Sequence, residues 1–251
     1  MSRFYRGFVI WEGASLLDGA PVVLIATRGT KGKANQKTGA MIQTYILRSD
    51  IGPIDSAKAG KDASICGECQ HRPAHNGTCY VRLDTGPNQV YKAYKRGVYP
   101  WLSMREVQAQ WQGERVRLGA YGDPCAVPLA VWSAALEGIS GCTGYTHGWK
   151  TAERGLERYC MASCDSLAED KQAQGMGWRT FTVLAKNAPI VPSGSFLCPA
   201  SAEAGKRLTC SECMACGGLS SPNRASVYIP VHGVAFKVQR FTNLIQIGKG
   251  V

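Results

Sequence analysis

The chain has no apolar run near the 18 residues that a membrane-spanning helix needs, and MSRFYRGFVIWEG at its start lacks the apolar core of a secretory signal. It also has no Gly-rich phosphate loop, no HExxH helix and no GxSxG elbow. The sequence therefore offers none of the usual signatures of nucleotide-binding proteins, zinc proteases or serine hydrolases. We expect a cytoplasmic protein with reduced thiols and no membrane partner.

Cysteine, in contrast, is abundant, and four of the eleven cysteines lie in the segment CPASAEAGKRLTCSECMACGG. Two consecutive gaps of two residues let one loop aim three thiolates at a single point. A disulfide between such close neighbours would close a strained ring. The segment predicts a metal or iron–sulfur site, with free thiols and disulfides as the alternatives. The predicted ligands are Cys198, Cys210, Cys213 and Cys216.

A second cysteine cluster lies upstream, in the segment ICGECQHRPAHNGTCYV. Cys66, Cys69 and Cys79 are the predicted ligands, and His71 and His75 between them are candidates for a further ligand. We expect this set to bind metal as well. At both sets a [4Fe-4S] cluster is the leading assignment and zinc is the alternative.

The net charge of +11 favours a polyanionic partner such as nucleic acid, although a solvated basic surface would have the same composition. One candidate group lies in the basic loop RGTKGKANQKTG, and the other lies on about one turn of a predicted helix. Side chains of this kind neutralise backbone phosphates. The candidates are Lys31, Lys33, Lys37, Lys92, Lys95 and Arg96.

Strand-like and helix-like segments alternate along most of the chain. The predicted strands are TYILRS, RVRLGAYGDP, CTGYTH, YCMASC, WRTFTVLA and SFLCPAS. This alternation predicts an α/β protein with right-handed crossovers, and six strands fit an open partial parallel (βα)6-like barrel. We expect an N-terminal β extension over 1–43, the partial barrel with the cysteine loop 66–79 over 44–197, and a cysteine-rich metal lobe with C-terminal strands over 198–251.

In such a sheet, ligands are bound at the carboxyl ends of the strands. Asp123, His147 and Asp165 fall at these ends and are the candidate catalytic residues. Asp123 also has a simpler interpretation, since Gly-Asp-Pro is a common turn. Gly122 and Cys164 are the neighbouring candidates for cofactor binding, and the Cys164 thiol is a candidate ligand or hydrogen donor.

The order of these motifs resembles that of uncharacterised phage proteins of the gene product eighty-eight type. The likeness covers roughly residues 35 to 216, through ANQKTGAMIQTYILRSD, a cysteine segment ending in CYV, VRLGAYGDP, GYTHGW, and CPAS with a closing CxxCxxC. The order of parts is also similar to that of radical S-adenosylmethionine enzymes, whose first strand leads into a three-cysteine loop. The gaps of two and nine residues here differ from the gaps of three and two that are usual in those enzymes.

The second resemblance implies that Cys66, Cys69 and Cys79 hold a [4Fe-4S] cluster with one iron open, and that S-adenosylmethionine is a candidate cofactor. The downstream four cysteines would then hold an auxiliary cluster. The leading hypothesis is thus a phage-type iron–sulfur enzyme of the host cytoplasm, acting on a nucleic acid or a small molecule. The alternative is a non-catalytic nucleic-acid-binding protein with structural zinc or iron–sulfur sites.

Overall fold

The computed structural model describes residues 4–29 and 35–247, with side chains as far as residue 243. Within these residues the strands form two five-stranded sheets. The first sheet has the order β1-β2-β3-β4-β5, in which β1, β2 and β3 are antiparallel and β3, β4 and β5 are parallel. Its strands are β1 (Gly7–Ala14), β2 (Pro21–Thr27), β3 (Ile42–Arg48), β4 (Arg115–Tyr121) and β5 (Gly141–Thr143).

The second sheet is entirely parallel and has the order β6-β7-β8-β10-β9. The last strand in the chain therefore lies between the two strands that precede it in sequence. Its strands are β6 (Tyr145–Thr146), β7 (Met161–Cys164), β8 (Thr180–Leu184), β9 (Ser195–Leu197) and β10 (Ser226–Pro230).

Short helices connect the strands, and within the described residues no helix combines the length and apolarity required to cross a membrane. The helix α4 begins with a capping box, in which the Ser103 hydroxyl accepts from the Glu106 backbone and the Glu106 carboxylate accepts from the Ser103 backbone. The helices are α1 (Pro53–Lys58), α2 (Ala63–Cys66), α3 (Gly86–Lys95), α4 (Met104–Trp111), α5 (Leu129–Ala135), α6 (Leu167–Gly175), α7 (Cys210–Cys213) and α8 (Ala235–Ile247).

The main core lies around β2, where the residues from Val22 to Ala26 are completely buried. A continuous apolar run of this kind suits a strand that is covered on both faces. Trp111 at the end of α4 and Trp132 in α5 are also fully buried, and the Trp111 ring lies 6.4 Å from the ring of Phe8. Burial of such large side chains stabilises the first sheet and fixes the helices on it.

The two sheets meet in the chain at Gly144, the single residue between β5 and β6. Its N–H donates to the carbonyl of Cys216, and its carbonyl accepts from the N–H of Met161. A Cβ atom at this position would lie 2.7 Å from the Cys160 sulfur, so the close approach requires glycine. The predicted strand CTGYTH is therefore divided into two short strands that belong to different sheets.

The prediction of an α/β fold with parallel strands is confirmed, and all six predicted strands are present. The predicted barrel is not confirmed, because neither sheet closes among the described strands. The cysteine-rich segment does not appear as a separate lobe. Instead, Cys198 and Cys216 pack in a small core with Met161, Val227 and Ile229, which belong to strands of the second sheet.

The segment TAERGLER, between the predicted strands CTGYTH and YCMASC, contains no α-helix. A single 3₁₀ turn forms there, from Leu156 to Arg158. Gly155 precedes it with a φ of 113°, a value that an α-helix does not contain. The first two strands, predicted as an extension, belong to the first sheet, where β1 pairs with β2 and β2 pairs with β3.

Candidate metal centres

The upstream cysteines lie on a loop that starts where α2 ends. Cys66 is the last residue of α2, and the N–H of Cys69 donates to its carbonyl at 3.2 Å. The loop returns when the N–H of Cys79 donates to the carbonyl of His71 at 2.9 Å. All three cysteines line one cavity of about 290 Å³, whose wall also includes Tyr121. The structure thus brings together the three residues that the sequence predicts.

A buried arginine holds the cysteine loop in place. Arg72 forms an ion pair with Asp62 at 2.8 Å, and its guanidinium also donates to the carbonyls of Gly60 and Gly67. Its side chain is 6% exposed and that of Asp62 is 3% exposed. Because both charges are buried, each depends on the other for compensation.

We expect Arg72→Met to lower the free energy of unfolding by about 3–5 kcal/mol, because it leaves the Asp62 carboxylate buried without a partner. Chemical denaturation measures this difference. Arg82→Met is the matched control: Arg82 pairs with Asp84 on the protein surface, where solvent weakens the attraction. Equal losses of stability in the two variants would contradict the proposed role of Arg72.

Two of the upstream thiols, Cys66 and Cys79, favour the protonated form, so metal binding there would release protons. Burial raises the pKa of the Cys66 thiol well above its ordinary value, and the neighbouring Cys79 and Cys69 thiols raise it further. Burial also raises the pKa of Cys79. A bound cation would reverse this preference, since metal ligands must be thiolates.

The downstream cysteines converge although eleven residues separate the first from the second. Cys198 follows β9, Cys210 and Cys213 form the ends of α7, and Cys216 lies three residues further on. All four line a cavity of only about 20 Å³. No cysteine in the described part of the chain forms a disulfide. Burial raises the pKa of the Cys216 thiol to about 12.

The segment before β3 fixes the downstream loop. The N–H of Cys210 donates to the carbonyl of Lys37, and the N–H of Ser211 donates to the carbonyl of Thr38. Gly39 has a φ of 69°, and a Cβ atom there would lie 2.1 Å from the Ser211 hydroxyl. This turn therefore requires glycine for both its backbone conformation and the close contact. It places Lys37, a predicted nucleic-acid contact, beside the downstream thiols.

A buried guanidinium faces the downstream thiols. Arg117 in β4 is 8% exposed, and among the described residues no carboxylate lies within ion-pair distance of it. It donates to the Tyr80 hydroxyl at 3.0 Å and lies over the ring of Tyr145. Burial lowers its pKa, but the nearby tyrosines and the thiols of Cys210 and Cys216 raise it above its ordinary value overall. A buried cation without a carboxylate partner favours an anionic group at this position.

A third cluster contains no cysteine. The Asp165 carboxylate lies 3.0 Å from His71 Nε2 and 3.6 Å from His147 Nε2. His71, His147 and Asp165 are the one group of three potential metal ligands, within the described part of the chain, whose ligand atoms all lie within 4.8 Å of one another. Burial acts against the charge of Asp165, but contacts with both histidines hold its pKa well below the ordinary value. Burial lowers the pKa of His147, whereas contacts with Asp165 and Cys69 raise it well above the ordinary value overall.

Asp123, predicted as catalytic, uses its carboxylate to hold backbone segments together. Its oxygens accept from the N–H groups of Cys125 at 3.0 Å and His147 at 2.7 Å. Its own N–H donates to the carbonyl of Ile65, next to Cys66. These contacts join the end of β4 to the end of β6 and to the start of the cysteine loop. Asp123 therefore positions these segments.

The two predicted cofactor-binding residues have local structural partners. Gly122 has a φ of 83°, and a Cβ atom there would lie 2.6 Å from the Ile46 carbonyl oxygen. The strand end therefore requires glycine. Cys164 is completely buried, and its thiol donates to the carbonyl of Ala162 in the same strand.

The structure describes four of the six predicted basic residues. Lys31 and Lys33 lie outside the described residues. Lys92, Lys95 and Arg96 are exposed on and just after α3, and Lys95 Nζ donates to the carbonyl of Ser49 at 3.3 Å.

Sequence reasoning missed Arg72, Arg117 and the pairing of His71 with Asp165. No local signal indicated Arg117, because the alternation from Arg115 to Leu118 predicts a strand whose arginines face solvent. Comparison of the chain with protein-family models, curated proteins and solved structures finds no match.

Proposed function

We propose that this chain is an iron–sulfur enzyme. Cys66, Cys69 and Cys79 hold a [4Fe-4S] cluster with one open iron, and the four downstream cysteines hold a second cluster. The observation that carries the proposal is the convergence of two separate cysteine sets, each on its own cavity, without a disulfide among the described residues. Packing alone gives no reason for seven thiols to gather in this way.

The spacing of the thiols supports a cluster over a single zinc ion. Zinc–sulfur bonds of about 2.3 Å in a tetrahedral site bring the thiolates within about 3.8 Å of one another. Within the described residues, no group of three potential ligands that includes a cysteine has its ligand atoms mutually within 4.8 Å. A four-iron cluster occupies more space than one ion, which suits the upstream thiols and their cavity of about 290 Å³.

The charges around the downstream set also support a cluster. A [4Fe-4S] centre with four thiolate ligands is anionic, and Arg117 is a buried cation beside these thiols that lacks a carboxylate partner among the described residues. The positive charge of Lys37 also favours the thiolate forms of Cys198 and Cys210. Hydrogen bonds and nearby charges of this kind tune the reduction potential of such centres.

The enzymatic assignment depends on the upstream cavity. When bound, a cluster with one iron free of protein ligands supplies a site for electron transfer or Lewis-acid chemistry. The cavity of about 290 Å³ beside the three thiols approaches the size of small-molecule sites. Lys237 of α8 lines this cavity and donates to the carbonyl of Cys79, so α8 covers one side of the loop. S-adenosylmethionine is the candidate ligand.

The absorption spectrum of anaerobically purified protein tests the proposal. We expect a broad band near 400 nm that dithionite bleaches, together with inaccessibility of the seven clustered thiols to a thiol reagent in the folded state. A colourless protein whose thiols react freely would overturn the proposal.

We propose nucleic-acid binding as a second, weaker candidate function, in a protein whose cysteines hold structural zinc or inert clusters. The observation in its favour is an exposed basic group, Lys92, Lys95 and Arg96, followed by the exposed side chains of Val98 and Trp101. Cations beside an exposed aromatic ring suit a single-stranded partner, whose bases stack on aromatic side chains.

If this second function holds, the affinity for single-stranded DNA or RNA will fall steeply as salt increases, because each neutralised phosphate releases counterions. Replacing Lys92, Lys95 and Arg96 by alanine will make the slope of log K against log salt shallower by about two, at about 0.7 per contact. Fluorescence anisotropy at several salt concentrations measures the affinity and hence the slope. The control replaces Lys171, Lys186 and Lys206. The absence of binding at low salt would eliminate the candidate.

A further inference from the structure

We propose that His71, His147 and Asp165 form a mononuclear metal site, distinct from both cysteine sets. The site would bind one divalent transition-metal ion, Zn²⁺ or Fe²⁺, through two imidazole nitrogens and one carboxylate oxygen. It rests on the geometry of these three side chains and not on the iron–sulfur proposal, so either proposal can fail alone.

The distances match those between ligands of a single ion. With metal–ligand bonds of about 2.0–2.2 Å, neighbouring ligand atoms lie about 3.0–3.5 Å apart in octahedral and tetrahedral sites. The Asp165 carboxylate oxygen lies 3.0 Å from His71 Nε2 and 3.6 Å from His147 Nε2. Ligand atoms of all three side chains lie within 4.8 Å of one another. Only small shifts would bring them into a common coordination sphere.

Two polar atoms of this group are buried with incomplete hydrogen bonding among the described residues. Asp165 Oδ1 has no partner, and the Asp165 side chain is 5% exposed. His147 Nε2 lies 3.6 Å from Asp165 Oδ2 and beside the Cys69 thiol, without a hydrogen bond of ordinary length. A buried polar atom left unsatisfied lowers the stability of the fold, and more so when it is charged. A bound cation would satisfy both atoms at once. The Nε2 atom of a neutral His147 and the Oδ1 atom of the ionised Asp165 each offer a lone pair.

The surroundings resemble the outer shell of a metal site. The second nitrogen of His71, Nδ1, lies 2.6 Å from the Thr78 hydroxyl, and Gln70 donates to Asp165 Oδ2 at 2.7 Å. The His71 ring also stacks on the buried ring of Phe241. Metal-binding histidines usually bond through their other nitrogen in this way, which fixes the ring and its tautomer.

Three protein ligands leave coordination positions open. Two histidines and one carboxylate form the arrangement found in catalytic zinc sites and in non-haem iron sites. His147 lies beside the thiols of Cys69 and Cys79, so the proposed ion would be a neighbour of the upstream cysteine set. A substrate in the adjoining cavity could then contact both centres.

Cobalt binding tests this site. Anaerobically purified protein, with its cysteine sites filled, is titrated with Co²⁺ and followed through the visible absorption of the ion. We expect one Co²⁺ per chain with nitrogen and oxygen ligands, and at least about tenfold weaker binding in His71→Gln and in Asp165→Asn. His75→Gln is the matched control, because His75 is an exposed histidine of the same loop that contacts the carbonyl of Cys69.

A further variant distinguishes the loss of metal binding from the loss of folding. Thr78→Val keeps all three ligands and removes only the partner of His71 Nδ1, and we expect it to weaken Co²⁺ binding by about 10- to 100-fold. Circular dichroism without Co²⁺ verifies the fold of each variant. Equal Co²⁺ affinity in wild type and in folded variants at positions 71, 165 and 78 would overturn the proposal. A near-ultraviolet thiolate band that disappears in Cys69→Ser would also overturn it.

Discussion

Cys213→Ser is expected to release the downstream metal and to destabilise the C-terminal part of the chain. In the small core around this site, the cysteine-rich segment contributes only the predicted ligands Cys198 and Cys216 with Ala200 and Ala215, whereas the larger side chains come from the second sheet. Side chains so small bury little apolar surface, so under the proposed function the loop would depend on a bound metal for its stability. We expect a loss of about 3 kcal/mol or more, which lowers the melting temperature by roughly 6–12 °C.

Calorimetry and iron analysis of the same preparations measure both effects. Iron should fall from about eight to about four per chain if the second cluster alone is lost. The control is Cys142→Ser, the same chemical change at a buried thiol that lines neither cavity and donates to the carbonyl of Tyr159. Unchanged melting temperature and metal content in Cys213→Ser would refute the downstream site.

The second large effect concerns the upstream site, where S-adenosylmethionine should change the electron paramagnetic resonance spectrum of the reduced protein. Cys66→Ala should abolish this change, because two thiols cannot retain the cluster. Cys164→Ala is the control, since its thiol bonds within its own strand. A spectrum that does not respond to the ligand in wild type would remove the main support for an enzyme.

Two histidines near the upstream cysteines support the proposal of an open iron. Both nitrogens of His71 are engaged, with Thr78 and Asp165. His75 is exposed, and its Nδ1 lies 3.2 Å from the carbonyl oxygen of Cys69. Neither histidine lines the cavity that the three thiols share. If the three thiols hold a four-iron cluster, one corner would therefore remain for an external ligand.

The sequence could predict the strands because local chemistry determines them. The apolar runs in β2 and β4 predict strands. Gly122, which has a positive φ in the structure, marks the end of β4. The position of β10 between β8 and β9 could not be predicted, because strand order depends on pairing between distant segments. The division of the predicted strand CTGYTH at Gly144 likewise depends on contacts with Cys160 and Cys216, which no local sequence pattern predicts.

The candidate sites show the same contrast. The cysteines could be grouped from spacing alone, since short gaps force neighbouring thiols together. The pairing of His71 with Asp165 joins residues 94 positions apart and depends on how the cysteine loop folds back. Asp123 was recognised as a strand-end carboxylate, but its bonds to the backbone of Cys125 and His147 appear only in three dimensions.

The metal content of anaerobically purified, full-length protein tests the central claim most directly. Iron, acid-labile sulfide and zinc are determined together on one preparation and expressed per chain. The iron–sulfur account predicts about eight iron and eight sulfide per chain for two four-iron clusters. Zinc at both cysteine sets, or no metal with seven freely titratable thiols in the folded state, would contradict it.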